Sequence, residues 1–273
     1  METIKHYLSV FGFSFRMALK AEMEYVSYTF CWLLMIPISC FSGFYVLKVI
    51  MEKSGDLNGW TFGQVAVLYG LSMFSHAFQD MFFIQTRGIE NKILEGEFDR
   101  LLLRPMGVFF QFCTGMANFC GNYDLLPGLI IFLYGCHLVE FQWTLLNIVR
   151  ILIITAGGTL ISAAVFTATG AVAFWTKKSG ALLDFNLHMI GKTTSYPLNI
   201  YPGWFMRFFT FVIPLGFISF YPVCGLLGIE SGMEFPLPLE LPSVSLAVGI
   251  VSFIIGKKIF ERGLKSRYES SGS

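Results

Sequence analysis

The 273-residue chain is 55% hydrophobic and 17% aromatic, contains thirty Phe, and is only 14% charged, with a net charge of +1. A soluble domain has no interior large enough for that apolar content, and a near-neutral chain offers no electrostatic footprint for nucleic acid. Several segments approach or exceed the ~20 apolar residues that cross a bilayer, without the alternation of a β-barrel strand, so an all-α integral membrane protein with one transmembrane domain, residues 1–273, is expected.

In residues 1–25, Ile4, Tyr7, Leu8, Phe11, Phe15 and Leu19 recur at roughly helical spacing among Lys5, Arg16 and Lys20, the pattern of an interfacial helix. The first apolar run starts near Val26, too late and too long for a signal peptide. Span 1 is expected at Val26–Ile50, broken by Pro37 and Gly43, and span 2 at Phe62–Thr86. Arg87–Pro105 follows, the densest charged run between two apolar regions. It fits two short pieces divided at Gly96 better than one helix. Phe98, Leu101 and Leu102 then share a face at i, i+3, i+4, and Arg104 before Pro105 ends the second piece. Span 3, Met106–Val139, reads as one long kinked crossing around Asn122, Tyr123 and Asp124. Span 4 is expected at Leu145–Thr176, a lateral or interfacial element at 180–203, span 5 at Trp204–Leu227 and span 6 at Ser243–Phe260. A basic tail, 257–273, ends the chain.

Orientation follows from the Lys and Arg residues. With both termini inside, sixteen of nineteen fall on the inner side: Lys5, Arg16, Lys20, Arg87, Lys92, Arg100, Arg104, Lys177, Lys178, Lys192, Arg207, Lys257, Lys258, Arg262, Lys265 and Arg267. Six transmembrane helices with cytoplasmic N- and C-termini satisfy that bias, and Arg87–Pro105 becomes a cytoplasmic connection.

Motifs for catalysis are absent. Gly191-Lys192-Thr193 looks like the end of a phosphate-binding loop, but Asn186 stands where that loop needs Gly, so no ATPase activity and no cofactor are expected in this chain. His76 with Asp80, and His137 with Glu140, are pairs at helical spacing, too few for a metal site. The six Cys (31, 40, 113, 120, 136, 224) show no ligand spacing and read as buried thiols. Polar residues within spans are the better lead. Tyr69, Ser72, His76 and Gln79 on span 2, and Asn122 and Asp124 on span 3, either line a translocation path or hydrogen-bond helices together. A small-residue stripe on span 4 (Thr159, Ala163, Thr167, Ala171) allows close helix approach, within the chain or between two copies. Pro197, Pro202, Pro214 and Pro222 are candidate kinks of a gate, or of a merely irregular helix.

The run Ile93-Leu94-Glu95-Gly96-Glu97-Phe98-Asp99-Arg100-Leu101-Leu102-Leu103-Arg104-Pro105 resembles the cytoplasmic "GELD…LLRP" segment of ABC-2 type transporter permeases. More narrowly it resembles their six-span DUF990-like subfamily, some members of which are described as viologen exporters, and Tyr196–Pro222 is similar to that subfamily's fifth-span region. Phe98 departs from the pattern's Leu. The resemblance implies an ABC-2, type V exporter-like permease fold. It also implies a permease subunit of an ABC transporter, an exporter, working with two copies of a separate ATPase subunit that carries the ATP and Mg, and with a second permease, identical or related. The implied setting is the plasma membrane, a bacterial inner membrane. Under this resemblance Arg87–Pro105 is the cytoplasmic coupling segment, in which Gly96, Glu97, Phe98, Asp99, Arg100, Leu101, Leu102 and Arg104 dock on the ATPase, with Phe98 and Leu101 filling a groove there. The rival reading is an ATP-independent secondary transporter or channel, although no internal repeat is visible.

Overall fold

A computed structural model describes residues 2–24, 26–114, 121–232 and 241–270. The N-terminal amphipathic pattern forms α1, Glu2–Glu24, and the first apolar run forms α2, Val26–Ser54. Thr61 starts α3, Phe62–Phe83, through a capping box: its hydroxyl accepts from the Gln64 N–H, and the Gln64 side chain accepts from the Thr61 N–H at 2.9 Å. A 3-10 turn, Ile84–Gly88, carries the chain into α4, Ile89–Leu94. Gly96, at φ +67°, then makes the turn that a side chain would resist, and α5 is Glu97–Leu102. The division expected at Gly96 is therefore where the helices part.

Span 3 is described in two parts. It comprises α6, Val108–Thr114, and α7, Gly121–Leu138, on either side of undescribed residues. Span 4 is α8, Leu145–Ala171, capped by Thr144, followed by the single turn α9, Ala173–Thr176. Then come α10, Gly180–Thr194, a 3-10 turn at Leu198–Ile200, α11, Gly203–Phe211, a 3-10 turn at Leu215–Phe217, and α12, Phe220–Leu227. The last helix, α13, Leu241–Ser270, includes residues 257–270 of the basic tail. Among the described residues no strand forms beyond an isolated bridge between Leu57 and Trp60.

α3 is the axis of the bundle. It packs against α7 on one side and α8 on another. Gly63 meets Leu138 and Gly128 meets Met73, so α3 and α7 are antiparallel; Gly158 meets Ser75 and Gly170 meets Thr86, so α3 and α8 are parallel. The small-residue stripe on α8 is spent inside the chain: Thr159 donates to the Ser75 carbonyl, and α13 lies so close that a Cβ on Gly249 would sit 2.6 Å from the Gly157 oxygen. Thr29–Lys53, Leu145–Thr176 and Pro242–Arg267 are long and apolar enough to cross a membrane. α3, at 22 residues, is not among them: it carries Gln64, His76, Gln79 and Asp80, and most of its residues are buried by other helices. On α2, by contrast, Phe30, Leu33, Met35 and Ile38 are exposed, and Cys31, expected to be buried, is exposed with them.

The two ends of the bundle differ. One holds the α2–α3 connection. The other holds α4, α5 and the last turns of α13, where Arg267 donates to the Ile93 carbonyl at 3.2 Å. Against the expectation of a lateral element, 180–203 runs from one end to the other. The Ser179 and Gly180 N–H groups bind Glu90 on α4, while Asn58 of the α2–α3 connection donates to the Asn199 carbonyl at 2.8 Å. Lys192 accordingly lies ~18 Å along α10 from Gly180, away from the end to which its charge assigned it.

The region expected as span 5 is a broken pair. α11 and the stretch Leu215–Leu227 meet at 77°. Its tip reaches mid-bundle, where Ile218 meets Gly158 and the Ser219 hydroxyl donates to the Thr194 carbonyl at 2.7 Å. Its second arm returns toward Trp60, whose ring lies 5.6 Å from that of Phe220, and a 2.6 Å hydrogen bond between Thr210 and Tyr221 ties the arms together.

Candidate functional site

Four of the six residues expected to line a path, Tyr69, Ser72, His76 and Asp124, meet in one cavity of about 200 Å³ between α2, α3, α7 and α10. Cys40 of α2, Ser162 of α8, Gly191 and Thr194 of α10, and Ser195 just beyond it add to its wall, and none of its lining residues is Lys or Arg. His76 Nδ1 lies 3.2 Å from Asp124 Oδ2, joining α3 to α7, and the Cys40 thiol reaches the other Asp124 oxygen. The same groups thus connect helices and line the cavity. Ser72 spends its hydroxyl on the Tyr69 carbonyl of its own helix. Gln79 faces away from the cavity, and the Asn122 side chain lies outside the described residues.

Behind the cavity sits a residue that the sequence placed in the charged connection. Arg87 turns back into the bundle. It grips both oxygens of Asp80, donates to Gln79 Oε1 at 2.7 Å, and lies 4.5 Å above the Phe166 ring. Its Nη2 is also 3.4 Å from His76 Nε2. A guanidinium only donates, so the neutral imidazole with its proton on Nδ1 satisfies Arg87 and Asp124 together. The signal was present in the spacing: residues 76, 80 and 87 are separated by 4 and 7, one helical stripe.

His76, Asp80 and Asp124 bring ligand atoms within 4.8 Å of one another, the crowding of a metal site. The Arg87 guanidinium already supplies the positive charge there and occupies both oxygens of Asp80. The donor set therefore fits an ion-pair network rather than a metal centre.

The charged segment has a different construction. Glu97 and Lys92 pair at 2.7 Å across Gly96 and hold α4 against α5; this bond keeps the Glu97 carboxyl below its usual range. Phe98 is only 2% exposed. Its ring packs on those of Phe112, Phe174 and Phe260 at 5.5, 5.3 and 5.9 Å, a core of its own at this end of the bundle. Phe98 therefore cannot fill a partner's groove, and Leu101 is packed against the same core. The reason is geometric: on a helix of six residues Phe98 and Leu102 are nearly in line, yet the turn that follows faces Phe98 inward and Leu102 outward. What the segment presents is Leu94, Leu102 and Leu103, exposed by 65%, 43% and 87%, with Asp99, Arg100 and Arg104 around them. Glu90, on the same segment, accepts from the backbone N–H groups of Ser179 and Gly180 and from the Ser179 hydroxyl, which hold its carboxyl below the usual range.

None of the four prolines kinks a continuous helix. Pro197, Pro202 and Pro214 each precede a new element, and Pro222 lies in the first turn of α12, where its missing N–H costs no helical bond. The bend they were expected to supply is concentrated at Ile213–Pro214, between the two arms.

No curated protein and no solved structure shows significant similarity to the chain. A family model described as "ABC-2 family transporter protein" matches residues 38–272, from the middle of α2 through the end of α13. By that match the chain belongs to the ABC-2 family of transporter membrane proteins.

Proposed function

We propose that this chain is the permease subunit of an ABC exporter, moving cargo with energy from a separate ATPase subunit that binds the ATP and Mg. The chain itself contributes no catalytic group to this scheme. The observation that carries the reading is the surface at α4–α5: three exposed leucines ringed by Asp99, Arg100 and Arg104, on a segment anchored to the bundle through Phe98. A partner seated on those leucines acquires a rigid handle. Gly96 and Glu97 shape that handle, while Phe98 and Leu101 hold it from behind.

The route from handle to cavity runs through Glu90. It binds the start of α10, and the far half of α10 supplies Gly191 and Thr194, with Ser195 just beyond it, to the polar cavity. Movement of the docked segment then shifts the cavity wall. Six crossings fit this scheme if the fifth is α10 and the pair α11–α12 enters and leaves on one side; α2, α3, α6–α7, α8 and α13 are the others. Basic residues at the α4–α5 end and along the last turns of α13 support placing that end, and both termini, in the cytoplasm of a plasma membrane, a bacterial inner membrane. The exposed apolar face of α2 suits lipid or a second permease, identical or related. Outward transport is supported by the resemblance of the charged run alone.

Isolation of the chain from its native membrane tests the scheme. An ATPase subunit with a phosphate-binding loop should co-isolate in two copies per permease pair, and cargo movement should stop on ATP depletion. Transport by this chain alone, insensitive to ATP depletion, would return it to the secondary transporters or channels.

A further inference from the structure

A second cavity, of about 1130 Å³, lies between the end of α3, Leu102 of α5, α6 and α13, and shares no lining residue with the polar one. It exceeds the roughly 300–1,000 Å³ of most small-molecule sites. Phe82, Phe109 and Phe253 line it, so its interior offers almost nothing to water. It follows α13 from Phe253 to Lys265, ~18 Å of helix, and so lies along the bundle axis, as acyl chains do. Lys257, Glu261 and Lys265 border it at i, i+4, i+8 on one face of α13. Lys257 and Glu261 pair at 3.6 Å and Lys265 is exposed one turn on, so two cations against one carboxylate leave the mouth net positive.

We propose that this cavity binds one anionic phospholipid from the adjacent leaflet, an acyl chain along the phenylalanines and the phosphate at Lys257 and Lys265. Charge and shape together select that occupant. An apolar slot alone would take any chain, and a basic rim alone would take any anion; the two joined along the membrane normal fit a molecule with both parts. Glu261 tempers the rim by holding Lys257 in place, so that Lys265 supplies the larger share of the headgroup selection.

The test uses the purified full-length chain in discs of equimolar phosphatidylglycerol and phosphatidylcholine with matched acyl chains, released into native mass spectrometry. Wild type should retain one phosphatidylglycerol, preferred over phosphatidylcholine by about fivefold or more. Lys265→Gln should cut that preference severalfold, and Lys257→Gln/Lys265→Gln should abolish it with the thermal unfolding temperature unchanged. Glycerol phosphate in excess should not displace the lipid. Equal retention of the two lipids, retention of neither, a preference that survives the double substitution, or displacement by glycerol phosphate would each overturn the proposal, the last in favour of a soluble phosphate site.

Discussion

At Arg87 the charged run turns inward, gripping Asp80 beneath the polar cavity, whereas at Arg100 and Arg104 the same run faces solvent. The residue type is the same and the consequence opposite. Removing one partner of a buried ion pair costs about 3–5 kcal/mol, because the other charge stays behind, while an exposed charge changes stability by about 0.5 kcal/mol or less. The inner half of the run therefore holds the bundle together, and the outer half is free to be an interface. Phe98 and Leu102 repeat the contrast among apolar side chains, one inside the aromatic core and the other outside it.

Substitutions break this comparison in order of depth. Phe98→Asp should have the largest effect, more than ~4 kcal/mol, because a carboxylate would be set among the rings of Phe112, Phe174 and Phe260 without a partner. Thermal unfolding of the purified chain in detergent measures it; an unchanged transition would mean that Phe98 is not a core residue. Arg87→Met should cost about 3–5 kcal/mol, and Asp80→Asn on that background should recover most of the loss. Strict additivity of the two substitutions would argue that they do not form a pair.

Glu90→Gln should cost about 1 kcal/mol and act locally, speeding amide exchange at residues 180–183 while leaving α8 unaltered. Its pH dependence has a definite sign. The carboxyl is held below its ordinary value of 4.5 in the fold, so its contribution is complete above that value and fades as the pH falls through the lowered one. Acidification should release the start of α10 in wild type, with Glu90→Gln already released at neutral pH. Protection that is identical in the two proteins at neutral pH would remove Glu90 from the proposed route.

Much of this was legible in the chain itself. Helix ends at Thr61 and Thr144, the break at Gly96 and the close packing of the α8 stripe follow from local chemistry that acts over a few residues. Tyr69, Ser72, His76 and Asp124 stood out because polar groups in apolar segments need partners. Periodicity, however, tells which residues share a face and not which face looks inward. On α5, one and a half turns long, Phe98 and Leu102 could not be told apart. The course of α10 was hidden for a related reason: Asp184, His188 and Lys192 give it an exposed polar face, which a lateral helix and one running along the bundle display alike. The positive-charge count then weighed Lys192 and Arg207 as though both lay at the inner end. Arg87 was missed because a charge next to a loop reads as solvated unless its stripe is followed back to Asp80.

The outer surface of α5 carries the functional claim, and one measurement addresses it most directly. Leu102→Asp/Leu103→Asp should leave the unfolding transition of the permease within about 0.5 kcal/mol of wild type. The co-isolating ATPase subunit should be lost at the same time. An ATPase that stays bound to the doubly substituted permease in wild-type amount would contradict the assignment of this surface as the docking site.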